Sequence, residues 1–186
     1  MAGFWRVPAR PASKKSSSNR QKIISFLIRN PDKEFYDREI SKLTGVSRAG
    51  TNFALRDLST RGIIEREKKG RMYFYKASSD DITIKYLKIL QNLLTIRPFI
   101  EKLKKKSQKI ILYGSAAKGE NLTESDIDLF IMSRLPDEVE KLMYKSKLRE
   151  KIQCVVNTPT NYVKMKKNNP AFYSEVEKGI LLWEAR

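Results

Sequence analysis

The 186-residue sequence contains no histidine and a single cysteine. Without histidine, Ser-His-Asp triads, Cys-His pairs and most zinc sites are excluded. One thiol, Cys154, cannot form an internal disulfide, which favours a reducing, cytoplasmic environment. Long hydrophobic runs are also missing, so no membrane partner is expected. Any catalysis must therefore use carboxylates, hydroxyls, lysine or a bound metal ion.

Acidic residues are scarce beside basic ones, with 21 Asp and Glu against 38 Lys and Arg and a net charge of +17. Residues 1–80 hold 18 basic and 8 acidic residues, whereas residues 81–186 hold 20 and 13. An excess of this size favours a polyanionic partner, because each phosphate contact releases counterions. The alternative is a lysine-rich solvated surface without such a partner.

Composition divides the chain into four segments. Residues 1–18 contain Arg, Ser and Pro but no acid, which predicts a disordered basic tail that contacts DNA phosphates. Residues 19–80 are predicted to form one domain, 81–106 a linker helix, and 107–186 a second domain in which strands alternate with helices. The predicted fold class is α+β with two domains, the second a mixed-sheet α/β domain.

The N-terminal domain is predicted to contain three helices. Apolar residues at helical spacing follow the tail until Asn30-Pro31 ends the first helix. A second helix is predicted from Asp37 to Leu43, with Ile40 and Leu43 inward. After a Thr-Gly turn, Ser47 is placed to cap a third helix.

The third helix and the segment after it carry polar groups that suit recognition of DNA. Arg48, Asn52 and Arg56 recur every four residues, opposite an apolar face. Arg pairs bidentately with guanine, and Asn with adenine, in the major groove. Two strands are predicted at 63–67 and 72–76. The basic residues between them are placed to contact phosphates, and these are Lys68, Lys69 and Arg71.

This order of elements resembles the winged helix-turn-helix family over residues 19 to about 78. The resemblance implies double-stranded DNA as the partner and regulation of transcription as the role, with the six polar residues above as contacts. A winged helix that binds another protein is the alternative.

Residues 81–106 are predicted to form one long amphipathic helix. Their apolar residues recur alternately four and three apart, which is the a/d seam of a coiled coil. Pro98 is expected to kink or split the helix. The seam either packs on the protein's own domains or joins a homodimer. Its residues are Ile82, Tyr86, Ile89, Leu93, Ile96, Ile100 and Leu103.

Two short motifs in the C-terminal domain carry chemistry. Gly114-Ser115 ends a predicted strand, and Asp126 and Asp128 belong to the next one, with ten residues between Ser115 and Asp126. Alternate strand residues point to one face, so both carboxylates can hold divalent ions. Together the motifs are similar to the polymerase-beta-like minimal nucleotidyltransferases over about residues 109–183.

The resemblance implies that Gly114, Ser115 and Lys118 bind the phosphates of ATP or another nucleoside triphosphate. It also implies that Asp126 and Asp128 are catalytic residues that hold Mg²⁺, which would activate an acceptor hydroxyl and neutralise the leaving pyrophosphate.

The sequence departs from this family at one position. Such enzymes usually supply a third carboxylate from a later strand, where this sequence has Gln153. An amide binds metal more weakly and cannot act as a general base. Turnover is therefore expected to be slow or absent, unless another group substitutes.

Three functions remain open at this point. The first is a DNA-binding, transcription-regulating protein whose nucleotidyltransferase-like domain binds nucleotide and magnesium with weak or no activity. The second is an active enzyme, targeted by its DNA-binding domain, that transfers a nucleotide such as AMP to a hydroxyl of a protein or small molecule. Some minimal nucleotidyltransferases act in this way as antitoxins. The third is a scaffold that uses both folds structurally.

Overall fold

The computed structural model describes residues 18–122 and 124–185. It is a mixed α+β structure with helices and two separate sheets, as the sequence predicts. The predicted basic tail lies outside the described residues, except for Ser18, which caps the first helix. Across the described ranges, no helix is long and apolar enough to cross a membrane.

The N-terminal part consists of three helices and a three-stranded antiparallel sheet around one apolar core. The central strand of the sheet is the third one in the chain. Ile23, Leu27, Ile40 and Leu55 are fully buried between the helices. The elements are α1 (Asn19–Arg29), β1 (Phe35–Tyr36), α2 (Asp37–Thr44), α3 (Arg48–Thr60), β2 (Glu65–Lys69) and β3 (Met72–Lys76).

Three details of this part differ from the sequence-based prediction. Strand β1 was not predicted, because two residues carry no periodicity. Leu43, predicted to point inward, is 59% exposed, and Val46 beyond the turn is buried instead. Strand β2 reaches Lys69, which pairs with Met72, so Gly70 and Arg71 alone form the turn.

Helix α4 (Ile82–Leu103) joins the two parts and continues without interruption through Pro98, so the expected split is wrong. Asp81 caps it by accepting the backbone N–H groups of Thr83 and Ile84 at 2.7 and 3.1 Å. Three lysines follow in a short 3₁₀ turn, Lys104–Lys106.

In its first half, the predicted a/d seam of α4 does not pack on the protein's own domains. Ile82 and Tyr86 are about two-thirds exposed (64% and 66%), whereas Lys88 is buried. In the second half, Ile96 and Ile100 pack on the C-terminal core. This agrees with the alternative in which the seam packs on the protein's own domains. Heptad spacing identifies residues that share a face, but it does not identify what that face contacts.

The C-terminal part is built on a four-stranded sheet in the order β6-β5-β4-β7, with β5 and β6 parallel and the other pairs antiparallel. Helices α4 and α6 cover one face, and α7 and α8 cover the other. The elements are β4 (Lys109–Tyr113), α5 (Gly114–Lys118), β5 (Ile127–Met132), α6 (Pro136–Tyr144), β6 (Ile152–Asn157), α7 (Pro159–Asn168), α8 (Pro170–Glu177) and β7 (Ile180–Glu184).

Candidate functional site

The end of β4 brings Gly114 against Asp128 of the neighbouring strand. Tyr113 and Asp128 are paired in the antiparallel ladder, and the chain then turns into α5. Gly114 has a φ of +67°, and a Cβ atom there would lie 2.5 Å from Oδ2 of Asp128. Any other residue would strain the backbone and clash with that carboxylate. The Gly-Ser motif and the Asp-x-Asp motif therefore meet at one point.

Asp126 and Asp128 have different environments. Asp126 is exposed just before β5, while Asp128 is half-buried within it. Burial raises the pKa of Asp128 above its ordinary value, and the negative charges of Asp126 and Glu175 raise it further. A bound cation would offset the free-energy cost of burying the ionised Asp128 carboxylate. It would also offset the repulsion that Asp128 receives from Asp126 and Glu175.

Gln153 lies beside Asp128. The two residues are partners in the parallel pairing of β5 and β6. Directly paired residues of adjacent strands point to the same face of the sheet, so both side chains belong to one surface. The position next to Asp128 thus carries an amide, which adds no negative charge and cannot take up a proton.

Sequence reasoning missed Glu175, which lies on α8. This helix packs on the sheet face that includes Tyr113, and the rings of Phe172 and Tyr113 are 5.6 Å apart. Burial and then the charges of Asp128 and Glu175 raise the pKa of Tyr113 to about 12. Glu175 therefore shares the electrostatic environment of Asp128. The available signal was weak, since α8 shows only an ordinary polar helical face.

Lys118 and Glu175 line a cleft of about 230 Å³ between α5 and α8, together with Gly114. Lys118 is exposed at the last position of α5. Ser115 is half-buried, and its carbonyl accepts the backbone N–H of Gly119. The structure thus places Gly114 and Lys118 on one cleft, whereas Ser115 does not line it.

The pair Asp126 and Asp128 suits a magnesium ion that completes its shell with other ligands. Between residues 18 and 185, leaving out position 123, no cluster of three or more His, Cys, Asp or Glu side chains could hold a metal. Mg²⁺ usually takes one or two carboxylates and fills its remaining positions with water and substrate phosphates. The two carboxylates fit that chemistry.

The second candidate surface is the outward face of α3. Ser47 caps this helix by accepting the backbone N–H of Gly50 at 3.2 Å. The opposite face is buried in the N-terminal core, whereas Arg48 and Arg56 are exposed and Asn52 is half-buried. The three side chains therefore share one accessible face, as their spacing predicts.

The hairpin of β2 and β3 adds cations of two kinds. Lys68 and Arg71 are exposed. Lys69 instead forms ion pairs with Glu34 at 2.5 Å and Glu67 at 3.3 Å. The hydrogen bond to Glu34 raises the pKa of Lys69. Lys69 is thus held by acids, and sequence reasoning missed this because Glu34 lies far away in the chain.

Comparison with protein families bears on the C-terminal part. Residues 95–186 match the model of the family described as polymerase beta, nucleotidyltransferase. The C-terminal part is nucleotidyltransferase-like. The match begins within α4, at the point where that helix starts to pack on the C-terminal core.

Two solved structures show weak likeness to the chain. A provisionally assigned nucleotidyltransferase from Sulfolobus solfataricus has 16% identity and a TM-score of 0.36, and the alignment covers 54% of this chain and 86% of that one. The archaeal chromatin protein TrmBL2, whose structure is described as showing a novel mode of DNA binding, has 14% identity and a TM-score of 0.31, with coverage of 83% and 70%. No curated protein matches the chain significantly.

Proposed function

We propose that the protein is a DNA-binding regulator whose nucleotidyltransferase-like domain binds a nucleoside triphosphate with magnesium and turns it over slowly or not at all. The N-terminal part would act as a winged helix-turn-helix domain. Asp126 and Asp128 would hold the metal, and Gly114 and Lys118 would contact the phosphates.

The proposal that the protein binds a nucleotide rests on one observation, the contact between Gly114 and Asp128. Glycine adopts this left-handed backbone without strain, and the missing Cβ lets the backbone lie directly against the half-buried carboxylate. Gly114 also lines the cleft that contains Lys118 and Glu175, where a metal-bound triphosphate would approach the backbone. Gln153, next to Asp128, supplies no proton acceptor, which supports slow turnover.

Calorimetric titration with ATP, with and without magnesium, tests this half. Binding should require magnesium and should be lost in the Asp126→Asn, Asp128→Asn double variant. A matched control is Asp137→Asn with Glu140→Gln, two changes on α6, which covers the opposite face of the sheet. Equal binding by the double variant and the control would contradict the proposal.

An active transferase is the second candidate, and Glu175 favours it. If this carboxylate replaces the missing strand acid, it would accept the proton of an acceptor hydroxyl on a protein or small molecule. When bound, magnesium would neutralise the leaving pyrophosphate. Incubation with labelled ATP and candidate acceptors tests this alternative, and transfer that disappears in Glu175→Gln would establish it over the first.

The DNA-binding half rests on the outward face of α3 and the basic hairpin. In a gel-shift titration, Arg56→Ala should weaken specific binding by about 1–3 kcal/mol. Arg134→Ala is the matched control, because Arg134 is an exposed arginine of the C-terminal part. Equal affinities of the two variants would exclude α3 as the reading helix.

We further propose a homodimer joined through an exposed stripe of α4. Ile82, Tyr86, Leu90 and Leu94 recur every four residues and are each more than half exposed. The stripe extends about 18 Å along the helix. A second copy is the occupant that fits best, since a two-fold pair of stripes would also pair two recognition helices for a two-fold DNA site.

Sedimentation of the full chain tests the dimer. Leu90→Glu should shift the protein to a monomer, whereas Leu181→Glu, a change at an exposed leucine of β7, should not. Leu93 is a poorer target because it packs partly on the C-terminal core. A monomer at tens of micromolar would remove the proposal.

A further inference from the structure

A narrow cleft lies where the N-terminal part meets the C-terminal part. Its walls come from the end of α1, the middle of α4, the residues around the start of β5 and the residue before β6, and its volume is about 100 Å³. Three cations line it, namely Arg29, Lys88 and Lys151, and no described lining residue is acidic. The cleft is separate from the one that contains Gly114 and Lys118.

Lys88 is the unusual member of this junction cleft. Its side chain is buried, with 6% exposure. It forms no hydrogen bond or ion pair with any residue in the described ranges 18–122 and 124–185. A lysine as buried as this one normally has a partner for its ammonium group. Burial accordingly lowers the pKa of Lys88, although the acids Asp32 and Glu120 partly oppose the shift.

Those two acids are engaged with other groups. Asp32 accepts the backbone N–H of Ser79 at 3.0 Å, and Glu120 lies 3.9 Å from the ammonium group of Lys85. Neither carboxylate therefore neutralises Lys88 by direct contact. An anionic ligand that entered the junction cleft would give Lys88 a direct partner.

The remaining polar groups give the junction cleft a defined shape. With the amide of Gln91 oriented to satisfy both side chains, its oxygen accepts from Nη2 and Nε of Arg29 at 2.7 and 2.9 Å. The amide of Asn92 donates to the carbonyl of Ala116 and to Oδ1 of Asn121, both at 3.0 Å. Helix α4 is thus fixed to α1 on one side and to α5 on the other.

We propose that the junction cleft binds a phosphate-sized oxyanion, with Lys88 as its main contact. A volume of about 100 Å³ accommodates one tetrahedral phosphate group. Lysine and arginine both bind phosphate oxygens through charge-assisted hydrogen bonds. The cleft also contains Ser125 and Ile127, which flank Asp126, so its occupant would contact both parts of the protein.

Calorimetric titration of the full chain with inorganic phosphate, in EDTA and at constant ionic strength set with chloride, tests this site. We expect saturable binding that weakens by about tenfold or more in Lys88→Met, because a charged hydrogen bond is lost. Lys102→Met, a change at an exposed lysine of the same helix, should bind phosphate like the unmodified protein. The metal-free condition separates this site from the nucleotide site.

Thermal unfolding of Lys88→Met without phosphate provides a second readout. The variant should unfold at a higher temperature than the unmodified protein, because an unpaired buried charge has been removed. If Lys88→Met does not fold, Lys151→Ala replaces it in the titration, with weaker phosphate binding expected. Titration with AMP shows whether the phosphate group of a nucleotide can enter.

Saturable phosphate binding that depends on Lys88 would support the proposal, whether or not AMP competes. Absence of saturation at millimolar phosphate, or equal binding by Lys88→Met and Lys102→Met, would overturn it. The nucleotide-binding proposal would be unaffected by that result, because its test requires magnesium and the two aspartates.

Discussion

The two candidate surfaces of this protein are assembled in different ways. The outward face of α3 and the basic hairpin come from one continuous stretch, residues 48–71. The candidate nucleotide site instead combines Gly114, Asp128, Gln153 and Glu175 from four separate elements. A surface built locally can be read from spacing in the sequence, whereas an assembled site depends on how the sheet and helices pack.

The two surfaces also differ in how strongly geometry constrains them. On the hairpin, Gly70 has a φ of +63°, and a Cβ atom there would have no neighbour within 4 Å. At Gly114 the same backbone conformation is combined with direct contact to Asp128. The local surface should therefore tolerate changes that the assembled site does not.

The largest predicted effect separates these two glycines. Gly70→Ala should cost about 1–2 kcal/mol in the free energy of unfolding, because only the left-handed backbone is strained. Gly114→Ala should cost more and should also abolish magnesium-dependent ATP binding, since its Cβ displaces Asp128. Denaturant unfolding and calorimetry measure both effects. Equal costs in the two variants would show that the contact at Gly114 relaxes freely.

The contrast also accounts for what could be predicted from the sequence. The polar face of α3 was predicted correctly because helical spacing and the cap at Ser47 are local signals. The proximity of Gly114 and Asp128 was predicted through a motif rather than a spacing. Glu175 carried no such signal, because its position depends on the packing of α8 against β4.

The next predicted effect concerns Gln153, which pairs with Asp128. Gln153→Asp should raise the rate of pyrophosphate release from ATP by about a hundredfold, the low end of what a positioned general base contributes. Gln153→Asn is the matched control and should leave the rate unchanged. A rate in Gln153→Asp no higher than in the control would show that the strand position does not face the acceptor.

Two carboxyl groups, one in each part of the protein, should make the stability of the fold change with pH in opposite directions. Hydrogen bonds from Ser79 lower the pKa of Asp32, whereas burial raises the pKa of Asp128. Asp32 therefore stabilises the fold above the ordinary carboxyl range and loses that contribution as the pH falls. Asp128 stabilises the fold while protonated and loses its contribution as the pH rises through its raised pKa.

Unfolding in EDTA across the acidic range measures this difference. At neutral pH, Asp32→Asn should be less stable than the unmodified protein, and Asp128→Asn should be more stable. Both differences should shrink at low pH, where all carboxyl groups are protonated. A loss of stability in Asp128→Asn at neutral pH would mean that the ionised carboxylate already has a partner in the fold.

The uneven burial of the α4 seam has a different origin from the omission of Glu175. Heptad spacing grouped Ile82 and Tyr86 with Ile96 and Ile100, yet the first two are exposed and the last two are buried. The partners of the helix change along its length, from the N-terminal core near Ile84 to the C-terminal core. Periodicity within one helix cannot report that change.

The smallest predicted effect lies within the hairpin and distinguishes two adjacent lysines. Lys68 is exposed, whereas Lys69 is already paired with Glu34 and Glu67. A lysine that contacts a phosphate contributes about 0.9 to the slope of log affinity against log salt. Lys68→Ala should therefore lower that slope by about one. Lys69→Ala should lower it less, because Lys69 must give up its acidic partners before it contacts DNA.

Gel-shift titrations of both variants over a range of salt concentrations measure the slopes. Equal slopes would show that Lys69 exchanges its ion pairs for phosphate at no cost, and that the hairpin acts as a uniform basic surface.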